Sequence, residues 1–333
     1  MAIMLMAASC GDPKPSTGPD NPSKVNFAKG ADVSWVTQME RDGVKFYNSK
    51  GTEMECMALL KSLGMNTIRL RVWVNPVDGW NGKADLLVKA KRAKALGMRL
   101  MIDFHYSDSW ADPGKQNKPA AWVNLPFEEL KGALVSHTIE ILEALKGESI
   151  YPEWVQVGNE TSDGMLWEDG RASVNMKQYT DLHNAGYRAV KEVFPEAKVI
   201  LHIDRGDSGA HYNWLLDGMA PYLPQYDIIG MSLYPDPGNW QYINEACLIN
   251  MKELISKYNK DIMICEVGMS WDKPEICKGF LIDLIDKALE KTDGRCLGVL
   301  YWEPQGFVNW SRYTKAAFDN QGRPTVALDA FKE

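Results

Sequence analysis

Two glutamates that follow short apolar segments are the side chains best suited to acid–base chemistry. The segment WVQV at 154–157 runs into Gly-Asn-Glu and ends at Glu160, and the segment DIMIC at 261–265 runs into Glu266. Each apolar segment predicts a buried strand, so each carboxyl would stand at the carboxyl end of its own strand. Two such carboxyls facing one pocket could break a glycosidic bond.

That chemistry needs a protonated acid at the leaving oxygen and a carboxylate on the other side of the anomeric carbon. A separation of about 5–5.5 Å between the carboxyls implies a covalent intermediate and retention of configuration. Two glutamates can divide these roles only if their surroundings give them different pKa values. The sequence gives the order and the type of these residues. The distance between the two carboxyls depends on the fold.

Polar side chains that could help the pair also end predicted strands. Asn159 is placed to bind a sugar 2-hydroxyl, and Tyr234 to hydrogen-bond Glu266 and keep it ionised. An arginine of the second strand would act with Tyr234, but Arg69 and Arg71 share one face by alternation, so either could be this arginine.

Two further side chains would complete the pocket. His105 would orient the polar network, and Trp302 would form the floor under the sugar at the point of cleavage. Any one of these polar strand ends is more often structural than functional. Their joint occurrence favours a site.

The elements that would position these residues alternate between strands and helices. Each step between strands has the length of a right-handed βαβ unit, and no phosphate-binding glycine motif indicates an open doubly wound sheet. The pattern predicts a single (β/α)8 TIM barrel with its functional residues at the carboxyl ends of the strands. The eight predicted strands are Lys29–Trp35, Thr67–Trp73, Arg99–His105, Trp154–Glu160, Lys198–Asp204, Ile228–Tyr234, Asp261–Glu266 and Leu297–Trp302.

The length and composition of the chain are those of one large folded domain. The 333 residues are 45% hydrophobic and carry a formal net charge of −7 without long basic runs, so nucleic acid is not an expected partner. The predicted domain occupies residues 25–333. The cysteines from Cys56 onward have no metal-ligand spacing and are expected to be mostly buried free thiols, with Cys265 pointing outward from the barrel.

The first 24 residues are predicted to be a targeting signal followed by a flexible tether. An apolar run closes on small residues and Cys10, and Gly/Pro/Lys/Ser-rich sequence follows. The segment resembles a bacterial lipoprotein signal, which implies a lipid anchor on Cys10 and a location at the cell surface or in the periplasm. The alternative is a frayed terminus that carries no targeting signal.

Several long motifs resemble glycoside hydrolase family 53, the endo-β-1,4-galactanases. They are NTIRLRVWVNP, DFHYSDSWADPGKQNKPAAW, VQVGNE, the glutamate of ICEVG and the tryptophan of YWEP, in order from about residue 27 to 322. The resemblance implies Glu160 as acid/base and Glu266 as nucleophile in a double displacement on β-1,4-linked galactose. It also implies a sugar-binding loop that contains Asp108 and Trp110.

The resemblance implies galactan or type I arabinogalactan as substrate. No cofactor is expected. Bacterial members often bind calcium after strand eight, but the segment 302–317 is compact and has no Asp before Asp319, so no metal site is predicted. Two alternatives stay open. One is another retaining enzyme of the same clan, a mannanase, cellulase or xylanase, and the other is a glycan-binding barrel without catalysis.

Overall fold

The computed structural model describes residues 27–332 and shows a closed barrel of eight parallel strands. The predicted (β/α)8 barrel is therefore confirmed. The first strand pairs with both the second and the last, which closes the sheet. We number the barrel strands β1 Ala28–Asp32, β2 Thr67–Val72, β3 Arg99–Phe104, β4 Trp154–Val157, β5 Lys198–Ile203, β6 Ile228–Leu233, β7 Asp261–Val267 and β8 Cys296–Trp302.

Helices follow the strands and form the outer layer. Their apolar faces pack on the outside of the barrel in one large core cluster. The helices are α1 Val36–Arg41, α2 Cys56–Ser62, α3 Lys83–Ala95, α4 Phe127–Gly147, α5 Ala172–Val193, α6 Gly209–Met219, α7 Trp240–Tyr258, α8 Pro274–Glu290 and α9 Val308–Ser311. A two-stranded hairpin, Phe46–Tyr47 with Glu53–Met54, lies outside the barrel.

The barrel interior is apolar at one end and polar at the other. A separate buried cluster fills the amino-terminal part with residues such as Met101, Trp154 and Met263. Nearer the carboxyl ends, fully buried Asp32, Arg69 and other charged or polar side chains replace it. Burial of such groups is tolerated only where they pair with one another, so this layer must be a connected network.

One strand departs from regular pairing beside a predicted catalytic residue. Met231 pairs with Ile264 and Ser232 pairs with Glu266, so Cys265 is an extra residue in β7, as in a β-bulge. Cys265 belongs to the inner apolar cluster and its Sγ lies toward Gly230. The expectation that Cys265 points outward was wrong, because simple alternation does not hold across a bulge.

The five cysteines in the described part of the chain are free and buried. No helix within residues 27–332 is long and apolar enough to cross a membrane. The predicted anchor at Cys10 and the whole tether to residue 24 lie outside the described residues, so they stay predictions.

Candidate active site

A cleft at the carboxyl ends of the strands brings the two predicted glutamates together. Its volume is about 390 Å³, and both Glu160 and Glu266 line it. A larger cavity of about 710 Å³ lies beside α3 and α4, but neither glutamate lines it. The remaining lining residues of the cleft are His105, Trp110, Ala111, Asp112, Asn159, Tyr234, Trp302, Tyr313 and Lys315.

Glu266 lies between a cation and a hydroxyl donor. Its Oε1 is 2.9 Å from Nη2 of Arg69, and its Oε2 accepts a hydrogen bond from the Tyr234 hydroxyl at 2.8 Å. Burial keeps the pKa of Glu266 above the ordinary glutamate value, and the Arg69 charge and the Tyr234 hydroxyl offset part of that rise. These two partners favour the carboxylate, which is the form a nucleophile requires.

The arginine that contacts Glu266 is Arg69, so the structure separates the two candidates left by the sequence. The buried guanidinium also pairs with Asp32 and Asp103, each at 2.9 Å, and donates to Asn159 at 2.8 Å. The two hydrogens of Nη2 go to Asp103 and Asn159, so its contact with Glu266 Oε1 is an ion pair without a hydrogen bond. The position of the guanidinium beneath the cleft is therefore fixed from several sides.

Glu160 has no comparable cation next to it. Burial and the negative charge of Glu266 raise its pKa well above the ordinary glutamate value, and Asp204 adds to the rise. A hydrogen bond from Ser232 and the charge of Arg69 act in the opposite direction. The environment favours a protonated Glu160, which is the form a general acid requires.

The backbone before Glu160 turns sharply out of the strand. Gly158 has φ of +84°, and a Cβ there would lie 2.4 Å from the Thr161 side chain, so glycine is required. Glu160 itself has φ of +45°. The strand therefore ends at Val157, earlier than predicted, and the turn aims the carboxyl into the cleft.

Arg71 occupies different surroundings although it lies on the same face of β2. It pairs with buried Glu303, and its guanidinium lies 4.3 Å from the ring centroid of Trp110 and 5.9 Å from that of Trp302. Trp35 packs against both of these indoles, at centroid distances of 5.9 and 5.2 Å. Arg71 thus supports the aromatic wall of the cleft.

His105 fixes the loop after β3 to the barrel. Its Nδ1 accepts from the backbone N–H of Ala111 at 3.1 Å, so its Nε2 carries the proton and faces Asp103 at 3.0 Å. Asp108 belongs to the predicted sugar-binding loop, and its carboxylate accepts from the backbone N–H groups of Asn75 and Ala120. Trp110 carries the loop's contribution to the cleft wall.

Three contributors were not singled out from the sequence. Gln156 donates to His202 and Asp103 inside the barrel, Ser232 lines a hollow together with Glu160, and Lys315 lines the cleft. A polar residue at an inward position of an apolar strand was an available signal for Gln156 and Ser232. Lys315 comes from a loop and offered no periodic signal. Within residues 27–332 no group of three or more His, Cys, Asp or Glu could hold a metal ion.

A (β/α)8 barrel with a carboxyl pair in an aromatic-walled cleft at its carboxyl-terminal rim defines the class of glycoside hydrolases. The model of glycosyl hydrolase family 53 matches residues 28–331, and the chain belongs to that family.

Curated relatives and solved structures agree with this assignment. The chain is 33% identical over 308 residues to an endo-β-1,4-galactanase of Bacillus subtilis (strain 168), covering 84% of this chain and 70% of the relative. It is 30% identical over 333 residues to an arabinogalactan endo-β-1,4-galactanase of Thermothelomyces thermophilus, covering 91% and 98%. A fungal β-1,4-galactanase structure matches with a TM-score of 0.84 and 29% identity, covering 92% and 99%. A family 53 catalytic domain of Ignisphaera aggregans matches with a TM-score of 0.84 and 30% identity, covering 94% and 97%.

Proposed function

We propose that this protein is a retaining endo-β-1,4-galactanase that acts on galactan or type I arabinogalactan. The observation that carries the mechanism is the unequal surroundings of Glu160 and Glu266 in one cleft. The family and the named activities of its relatives support β-1,4-linked galactose as the substrate.

In the first step Glu266 attacks the anomeric carbon, and the Glu160 proton passes to the glycosidic oxygen as the carbon–oxygen bond breaks. In the second step water attacks the same carbon, gives a proton to Glu160 and releases Glu266. Arg69 and Tyr234 favour the ionised form of Glu266 against the effect of burial. Each step inverts the anomeric centre, so the product keeps the configuration of the substrate.

Asn159 and Trp302 are proposed to bind the sugar at the cleavage point. Asn159 has one amide hydrogen bonded to the Ala111 carbonyl at 2.9 Å, which leaves the other hydrogen for a sugar hydroxyl. Trp302 lines the same cleft and packs against Tyr313 at a centroid distance of 4.8 Å. Its indole would form the floor for one face of the sugar ring.

The test is product analysis of the full chain on linear β-1,4-galactan, with mannan, cellulose and xylan in parallel and Glu266→Ala as the control. We expect galacto-oligosaccharides from galactan alone, with none from the variant. Proton NMR in the first minutes of reaction should show the β-anomer at the new reducing end. Hydrolysis of another glycan would overturn the substrate, binding without hydrolysis would overturn the activity, and an initial α-anomer would overturn retention.

We also propose that a lipid on Cys10 anchors the enzyme at the cell surface or in the periplasm, on the evidence of the segment around Cys10 in the sequence. The full chain expressed in a bacterium should incorporate labelled palmitate and fractionate with membranes, and Cys10→Ala should lose both properties. A wild-type protein that is unlabelled and absent from membranes would contradict the anchor.

A further inference from the structure

We propose that His202 and Ser232 form a one-directional hydrogen-bond chain that ends on the Glu160 carboxyl and orients it. Ser232 is then a positioning residue for the acid/base of the reaction. The proposal rests on the proposed function, because it concerns the residue assigned there as acid/base.

The chain begins with the tautomer of His202. The backbone N–H of Glu160 donates to its Nδ1 at 3.2 Å, and the Gln156 amide nitrogen lies 2.8 Å from the same atom. The Asn159 Oδ1 also lies 3.2 Å from Nδ1, but it already accepts from Arg69 at 2.8 Å. With two N–H donors aimed at it, Nδ1 is assigned as the acceptor nitrogen, which places the ring proton on Nε2. Burial, aided by the charge of Arg69, holds the pKa of His202 well below its ordinary value, so the ring stays neutral.

The second link is the contact between His202 and Ser232. The distance from Nε2 of His202 to Oγ of Ser232 is 2.9 Å, and the Met231 carbonyl is a second acceptor beside the ring. Because Nε2 already carries a proton, the Ser232 hydroxyl cannot donate to it. The hydrogen of this buried hydroxyl is therefore free for another acceptor. Ser232 and Glu160 line the same hollow of about 250 Å³, so we infer that the acceptor is the Glu160 carboxylate.

This direction of donation matters because Glu160 must act in both steps. As a base it takes a proton from the attacking water, and this requires the ionised form. Burial, Glu266 and Asp204 all favour the protonated form. A hydrogen bond that can only be donated to Glu160 offsets part of that preference and keeps the second step accessible at neutral pH.

The other groups around Glu160 come from several strands and do not duplicate this contact. The charged or titratable groups that face it are Arg69, His105, Asp204, Tyr234, Glu266 and Lys315. Arg205, Asp207 and Asp236 line an adjoining hollow of about 250 Å³. Of these, Arg69 lowers the pKa of Glu160, but it is already paired with three carboxylates.

The first experiment compares Ser232→Ala with Ser232→Thr, which keeps the hydroxyl. Thr180→Val, which removes a buried hydroxyl on α5, is the matched control. For each variant, kcat/KM on galactan and kcat on an aryl β-galactobioside with a good leaving group are measured across pH. The aryl substrate makes the second step rate-limiting.

We expect Ser232→Ala to move the alkaline limb of kcat/KM upward by about one pH unit. Its kcat on the aryl substrate should fall about tenfold near neutral pH and recover at higher pH, where Glu160 ionises. Ser232→Thr and Thr180→Val should keep the wild-type profile. An unmoved limb in Ser232→Ala, or an equal loss at every pH in both Ser232 variants, would overturn the proposal.

The second measurement is the ¹⁵N shift of the His202 ring nitrogens in the full labelled chain. We expect a neutral ring with the proton on Nε2 between about pH 5 and 8. A proton on Nδ1 would overturn the chain whatever the kinetics show. Failure of the proposed function is distinguishable, because wild-type protein would then be inactive on galactan before any variant is compared.

Discussion

Glu160 and Glu266 are chemically identical side chains in one cleft, yet they have opposite neighbours. Glu266 has a guanidinium at 2.9 Å and a tyrosine hydroxyl at 2.8 Å. Glu160 has a serine hydroxyl and the negative charges of Glu266 and Asp204. The comparison suggests the lesson that one cation, Arg69, would be enough to separate the two proposed roles. Four predictions below test this division, from the largest effect to the smallest.

Glu266→Ala should lower kcat on every substrate by about 10⁴-fold or more, because no covalent intermediate can form. Galactan binding should persist, since the nucleophile acts in the transition state more than in ground-state binding. Calorimetric titration with galactotetraose and thermal unfolding would measure binding and folding separately. Glu275→Ala, at an exposed position of α8, is the control. An unfolded variant without binding would mark Glu266 as structural.

Glu160→Ala should lower kcat/KM on galactan by about 10³-fold but on an aryl galactobioside by less than about tenfold. The reason is that a good leaving group departs without protonation. Added azide should restore kcat on the aryl substrate and give a β-galactobiosyl azide, because the small anion needs no base. Equal losses on both substrates would remove Glu160 from the acid role.

Tyr234→Phe should raise the pKa of Glu266, because the hydroxyl that donates to its carboxylate is lost. The acidic limb of kcat/KM should therefore move upward by about one pH unit, while the alkaline limb stays in place. Tyr258→Phe is a matched control, since that tyrosine also donates to a carboxylate, Asp217, but lies on α7. Movement of the alkaline limb instead would reverse the assignment of the two glutamates.

Asp204→Asn should have the smallest effect and the opposite sign. Although burial opposes it, hydrogen bonds from His211 and Ser162 lower the pKa of Asp204, so its negative charge is present to raise the pKa of Glu160. Removing that charge should move the alkaline limb downward by about half a pH unit. The shift should shrink in high salt, and an upward shift would show that Asp204 does not act through its charge.

The strands and the glutamates were predictable because each leaves a local pattern in the sequence. Buried parallel strands are continuous apolar runs, and a polar residue that ends such a run stands at the rim of a barrel. Arg69 and Arg71 were placed on one face by alternation alone. Which of them contacts Glu266 depends on how far each lies below the rim, and alternation does not encode depth.

Other features depend on contacts that no local pattern reports. Cys265 points inward because β7 contains an extra residue, and this is visible only in the pairing with β6. The Asp108 carboxylate accepts hydrogen bonds from two backbone N–H groups that belong to separate segments of the chain. The neighbours of Ser232 also come from other strands, since β5 brings His202 within 2.9 Å of it and Glu160 lines the same hollow.

The most direct test of the account is to trap the covalent intermediate on the full chain. A 2-deoxy-2-fluoro galactobiosyl donor with a fluoride leaving group slows the second step more than the first, so the glycosyl-enzyme should accumulate. We predict a mass increase of one fluorogalactobiosyl group, located by peptide mapping on Glu266 and absent from Glu266→Gln. Labelling of Glu160, or turnover of galactan without any adduct and with an inverted product, would contradict the division of roles between the two glutamates.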